Sequence, residues 1–219
     1  MRLPYSMKLI FGLIITFVSS ACFAHPHSWI DTQTIVLGTK HAITGFEMRW
    51  TFDPMTTAYL FDGEDMTPKH KQETLDKLGK ELVGNMLGNH YFTYFFDSDG
   101  KTPIRYKEVL SGSLSQDKAK AVLSFTINLV QPYAFNNQAL SLKIFDPTYY
   151  IDMSWAEAKD VRLDETLKPY CNLKLHQPNP TPAQVSYALS IPADADPDDT
   201  LGQLFTQDAT ITCHTKQQN

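Results

Sequence analysis

Along most of the chain, apolar and polar residues alternate with a period of two. In "GFEMRWTFD" Phe46, Met48, Trp50 and Phe52 fall on one face; in "AVLSFTINLV" the set is Leu123, Phe125, Ile127 and Leu129; in "AQVSYALSI" it is Val185, Tyr187, Leu189 and Ile191. Successive side chains of a strand point to opposite faces, so this alternation marks half-buried strands. Such strands pair mostly antiparallel. "SWIDTQTIVL", "YFTYFF", "IRYKEVL", "LSLKIFD", "YYIDM" and "ATITC" read as further short strands. Turn signals separate them: "GTKHA" around Lys40, "DSDGK" from Asp97 to Lys101, and Asp146-Pro147. In "DPTYYID" Asp146 is placed to close an Asx turn, with the tyrosines packing. "DSDG" also opens calcium loops, but the later carboxylates are missing, so it reads as a hairpin turn.

One segment changes period. In "MTPKHKQETLDKLGKELVGNMLGNH", Leu75, Leu78, Leu82 and Met86 recur at helical spacing. Thr67 is placed to cap, Pro68 suits the first helical position, and Gly88-Asn89 is a stop signal. The pattern predicts a helix over about 67–88, lying against the sheet. "DPDDTLGQLF" predicts a short helix near 197–205. The fold class expected is therefore mainly β: an antiparallel, β-sandwich-like domain with one longer and one short helix. The proline-rich "HQPNPTP" leaves too short a tail for a second domain, so residues 25–219 read as one domain.

The amino terminus stands outside this pattern. Arg2 and Lys8 flank "LIFGLIITFV", an apolar run of signal-peptide length and too short to span a bilayer. Small residues follow, with Cys22 and Ala24 in the −3 and −1 places for a cut after Ala24. Residues 1–24 therefore read as a signal peptide, and the mature chain, with no membrane span, as soluble and periplasmic. A lipoprotein cut before Cys22 competes, though "VSSA" lacks the large apolar residue usual three places before such a cysteine. Cleavage removes two cations and lowers the net charge from −5 to −7, which disfavours nucleic acid and anionic membrane surfaces as partners. It also leaves two cysteines, Cys171 and Cys213, which in an oxidising compartment most simply form one disulfide; without a CxxC spacing a thiolate metal site is the lesser alternative.

The cut would make His25 the first residue. In an extended strand His25, His27, Trp29 and Asp31 share a face. Imidazole suits zinc, copper and nickel, and a free amine on His25 adds a third nitrogen, the arrangement called a histidine brace. Pro26 has no backbone N–H, so a square-planar site built from deprotonated amides cannot form there. Two exposed histidines on a flexible end are the plain alternative. Further ligands would have to come from elsewhere: His90 at the helix end, His41 in a turn, Asp31 or Asp53. No nucleophile elbow, Walker loop, Rossmann glycine pattern or zincin motif is present, and nothing makes a positive case for an enzyme.

"AHPHSWID", "MRWTFDPMTTAYL", "FTYFFDSDGK", "LSFTINLVQP", "LKIFDPTYYIDM" and "LGQLF…ITC", in that order, resemble domain-of-unknown-function family 1007 over nearly the whole mature chain. These are exported bacterial proteins, often labelled the periplasmic component of an uncharacterised ABC-type transport system. The resemblance implies partnership with nickel/cobalt-type exporters and handling of zinc or other transition metals. It carries His25 and His27 over as the natural ligands, with Asp31 nearby. Residues 25–219 are few for a two-lobed solute receptor and lack its alternating βα units. The expected function is a periplasmic accessory protein that binds a divalent transition metal (zinc, nickel, cobalt or copper) for an inner-membrane metal transporter, with His25, His27, Asp31 and His90 as candidate ligands. The alternatives are a non-metal interaction module of a transport system and a copper histidine-brace redox protein.

Overall fold

The computed structural model describes residues 26–192 and 198–215. Among the described residues ten strands, numbered in chain order, form two sheets. The first runs β4 (Ser113–Asp117), β5 (Lys120–Ala134), β2 (Ala42–Phe52), β1 (Ser28–Gly38), β7 (Ile151–Ser154), with β8 (Val161–Leu163) against the second half of β1. The second runs β3 (Thr93–Phe96), β6 (Ala139–Ile144), β10 (Asp208–Cys213), β9 (Cys171–His176). Among the described residues they are accompanied by the α-helices α1 (Pro54–Leu60), α2 (Lys71–Met86), α3 (Pro182–Ser190) and α4 (Leu201–Leu204). The fold is mainly β and sandwich-like, as the alternation predicts. The pairings are antiparallel except at the edge of the first sheet, where β7 and β8 run parallel to β1. The chain reaches β7 directly from β6 of the other sheet, so no hairpin fixes its direction.

The two inner faces share one core. Phe46, Met48, Trp50 and Phe52 on β2 are all buried, as are Leu123, Phe125, Ile127 and Leu129 on β5. Phe46 of the first sheet meets Phe95 of the second edge-on at 5.1 Å, and Trp50 meets Phe125 edge-on at 4.9 Å. Each such buried side chain contributes about 1.5–3 kcal/mol. Some polar groups in this core are paired, while the Trp50 Nε1 and Thr32 Oγ1 atoms are buried without a hydrogen bond among the described residues. Trp155 Nε1 donates to Thr34 Oγ1 at 3.0 Å, and Gln207 both accepts from the Trp155 amide at 2.7 Å and donates to its carbonyl at 3.0 Å. Cys171 and Cys213 face each other across β9 and β10 and form the expected disulfide, their Cα atoms 4.0 Å apart.

Several local expectations give way. "AQVSYALSI" is not a strand but α3: Thr181 Oγ1 accepts from the Gln184 amide while the Gln184 side chain accepts from the Thr181 amide, and Pro182 opens the first turn. This reciprocal cap starts a helix wherever hydrophobic spacing permits both periods. "IRYKEVL" forms no strand either. It crosses between sheets, with Ile104 N donating to Phe95 O at 2.8 Å and Lys107 N to Asn128 O at 2.7 Å. The long helix begins at Lys71, after a turn anchored on the Thr67 carbonyl, and the Thr67 hydroxyl donates to Asp65 rather than capping. Beyond Met86 the chain kinks, with Asn89 (φ −105°, ψ 25°) already outside helical geometry. Of the short helix expected near 197–205, Leu201–Leu204 is helical; residue 197 lies outside the described residues. α1 carries no sequence signal beyond its cap Asp53 and Pro54 in the first turn.

Candidate functional site

The start of β1 is fixed by one carboxylate. Asp53, the N-cap of α1, accepts from Met55 N at 2.8 Å and Thr56 N at 3.0 Å through Oδ1, and from Trp29 N at 3.1 Å through Oδ2. The Thr56 hydroxyl donates to the same Oδ2 and accepts from the buried Ser28 hydroxyl at 2.8 Å. Burial raises the Asp53 pKa, but the hydrogen bonds from Thr56, Trp29 and Met55 outweigh it and hold the carboxyl below its ordinary value. With its lone pairs so used, Asp53 acts as a clamp between β1 and α1 and not as a free ligand.

That clamp sets the outer face of β1. Parallel pairing places Trp29 beside Asp152 and Asp31 beside Ser154, so Trp29, Asp31 and Asp152 project to the same side. His27 extends the pairing, its amide donating to Tyr150 O at 2.9 Å and its ring stacking on Tyr150 with centroids 4.6 Å apart. Asp31 is exposed, with Lys120 Nζ 3.5 Å away. Asp152 is half-buried. Burial first, and then the charge of Asp31, raises its carboxyl above the ordinary value. Of the expected ligands, the fold thus brings His27 and Asp31 to one face and adds Asp152, which sequence reasoning missed because nothing announces that β7 lies beside β1. His25 lies outside the described residues. Among the described residues no three His, Cys, Asp or Glu side chains converge closely enough to hold an ion.

His90 occupies a different feature. After α2 the chain makes three successive left-handed residues, His90 (φ 52°), Tyr91 (φ 55°) and Phe92 (φ 49°). Non-glycine residues in this region cost about 1–2 kcal/mol each. Tyr91 is held there by burial, its hydroxyl accepting from the Val109 amide at 2.9 Å. His90 meets Tyr94 edge-on at 6.1 Å and lines a cleft of ≈ 540 Å³ between β3 and the 103–108 crossing segment. His41 sits in the β1–β2 turn, as its sequence context implies.

The family model described as "Protein of unknown function (DUF1007)" matches residues 10–213. An uncharacterized protein of Haemophilus influenzae strain Rd is 32% identical over 211 residues, covering 94% of this chain and 100% of the relative. A match that spans nearly every element of both sheets, together with a relative aligned over its full length, places the chain in the DUF1007 family.

Proposed function

We propose that this protein is an exported accessory of an inner-membrane metal transporter and binds a divalent transition metal ion as cargo at the head of β1. The observation that carries the reading is the posture of His27. Its amide is bonded to Tyr150 and its ring is stacked on the Tyr150 ring, on the side of the sheet that also carries Asp31 and Asp152. An imidazole with carboxylates nearby suits zinc, nickel or cobalt. His25, two residues before His27, would supply a second imidazole and, after cleavage behind Ala24, an amine. The Cys171–Cys213 disulfide supports an oxidising compartment, and among the described residues no helix is long and apolar enough to cross a membrane.

The test is a titration of the processed protein with zinc, nickel and copper. Binding at about micromolar Kd or tighter, lost in His27→Ala, supports the reading. Absence of binding by a chain that begins at His25 overturns it in favour of a non-metal interaction module. A chain that keeps one extra residue before His25 separates two site types: it loses affinity severely if the terminal amine is a ligand and scarcely at all if side chains alone bind.

A further inference from the structure

The cleft beside His90 has no part in the metal reading, yet the chain breaks its own rules around it. Of the three consecutive left-handed residues, His90 and Tyr91 line it. Tyr106, on the neighbouring segment, keeps its hydroxyl buried without a hydrogen-bond partner among the described residues, and burial pushes its pKa well up. Strain and an unsatisfied buried group tend to collect where a surface is shaped for use and not for stability.

The lining has a definite chemistry. Tyr94 and Phe96 are half-buried rings at alternate positions of β3, with Ile104 and the exposed Leu87 completing the apolar wall. On the segment paired beside them, Arg105 and Lys107 stand exposed two residues apart, and among the described residues neither makes an ion pair. His90 is a further nitrogen at the rim, and Glu108 is the one carboxylate in the lining. On a chain of net charge −5 this is a local excess of positive charge over an aromatic surface. The volume falls in the range of small-molecule sites, which are mostly apolar with a few charged groups that orient the ligand.

We propose that this cleft binds a small aromatic carboxylate, its ring lying against Tyr94 and Phe96 and its carboxylate meeting Arg105 and Lys107. Flat rings favour an aromatic body, which gains offset-stacked or edge-on contacts. Two unpaired cations side by side favour a carboxylate head through charge-assisted hydrogen bonds. The site is independent of the metal reading and is tested without metal.

The experiment is calorimetric titration of the processed chain, in a chelator, with 2-naphthoate and with its neutral carboxamide. Binding of 2-naphthoate below about 1 mM is expected, about tenfold weaker for the carboxamide and for the double variant Arg105→Ala/Lys107→Ala. An unchanged unfolding midpoint shows that the double variant is folded; because both substituted residues are exposed, it should keep that midpoint. Should the double variant lose its fold, the single variants Arg105→Gln and Lys107→Gln carry the same comparison. Failure of 2-naphthoate to bind at about 1 mM, or equal affinity for the carboxamide or for the cation variants, overturns the proposal.

Discussion

Asp53 and Asp152 are two aspartates near the same strand, driven in opposite directions by their surroundings. Asp53 is held below its ordinary pKa by four donated hydrogen bonds. Its stabilising contribution is therefore full above the unfolded-state value, about 3.9, and is lost as pH falls through the lower folded value. Asp53→Ala should cost about 1–2 kcal/mol at neutral pH, the usual loss for an N-cap, as read by urea unfolding. Asp152 shows the reverse. Its raised pKa means that the folded chain holds the proton more tightly, so its contribution is full below about pH 3.9 and is lost as pH rises through the folded value. In metal-free protein Asp152→Asn should therefore raise the unfolding midpoint at neutral pH and not at about pH 3; equal shifts at both would count against the assignment. Sequence could nominate His27 and Asp31 because they belong to a series, His25, His27, Trp29 and Asp31, spaced two apart beside a cleavage signal. It could not nominate Asp152, whose partner across the sheet is over a hundred residues away, nor show that every lone pair of Asp53 is already taken.

Elements were legible where a single period ran long enough. The stripes on β2 and β5 and the leucines of α2 lie where their spacing put them, with Leu75, Leu78 and Met86 buried. In nine residues the periods of strand and helix overlap, and "AQVSYALSI" fits both. The decisive signal there was the Thr181-x-x-Gln184 box just upstream, which satisfies the amides of a helix and has no use in a strand. "IRYKEVL" alternates like a strand but passes from one sheet to the other, which no local pattern records. Close backbone approach is likewise invisible until the pairing is known. A Cβ on Gly45 would lie 2.2 Å from the Ile127 carbonyl oxygen, at an irregularity in the β2–β5 ladder. Gly45→Ala should cost about 3 kcal/mol or more, because backbone and not a flexible side chain must move. A loss below about 1 kcal/mol in chemical denaturation would mean that the two strands pair less tightly there.

At the scale of the whole molecule, the disulfide ties β9 to β10 across a sequence separation of 42 residues. Loop-closure entropy assigns it about 4 kcal/mol, so thiol reduction or Cys171→Ser/Cys213→Ser should lower stability by roughly that amount without abolishing the two sheets. Circular dichroism and urea unfolding of the reduced chain check both halves of that expectation. Metal affinity should fall as the solution is taken from about pH 7 to pH 5, since an imidazole ligates only when neutral. The most direct measurement is a calorimetric zinc titration of the processed protein beginning at His25, run beside His25→Ala/His27→Ala. One ion per chain, bound at about micromolar Kd or tighter and weakened at least about a hundredfold by the double substitution, is the expected result. Identical curves for the two proteins, or no heat from either, would contradict a metal site at the head of β1.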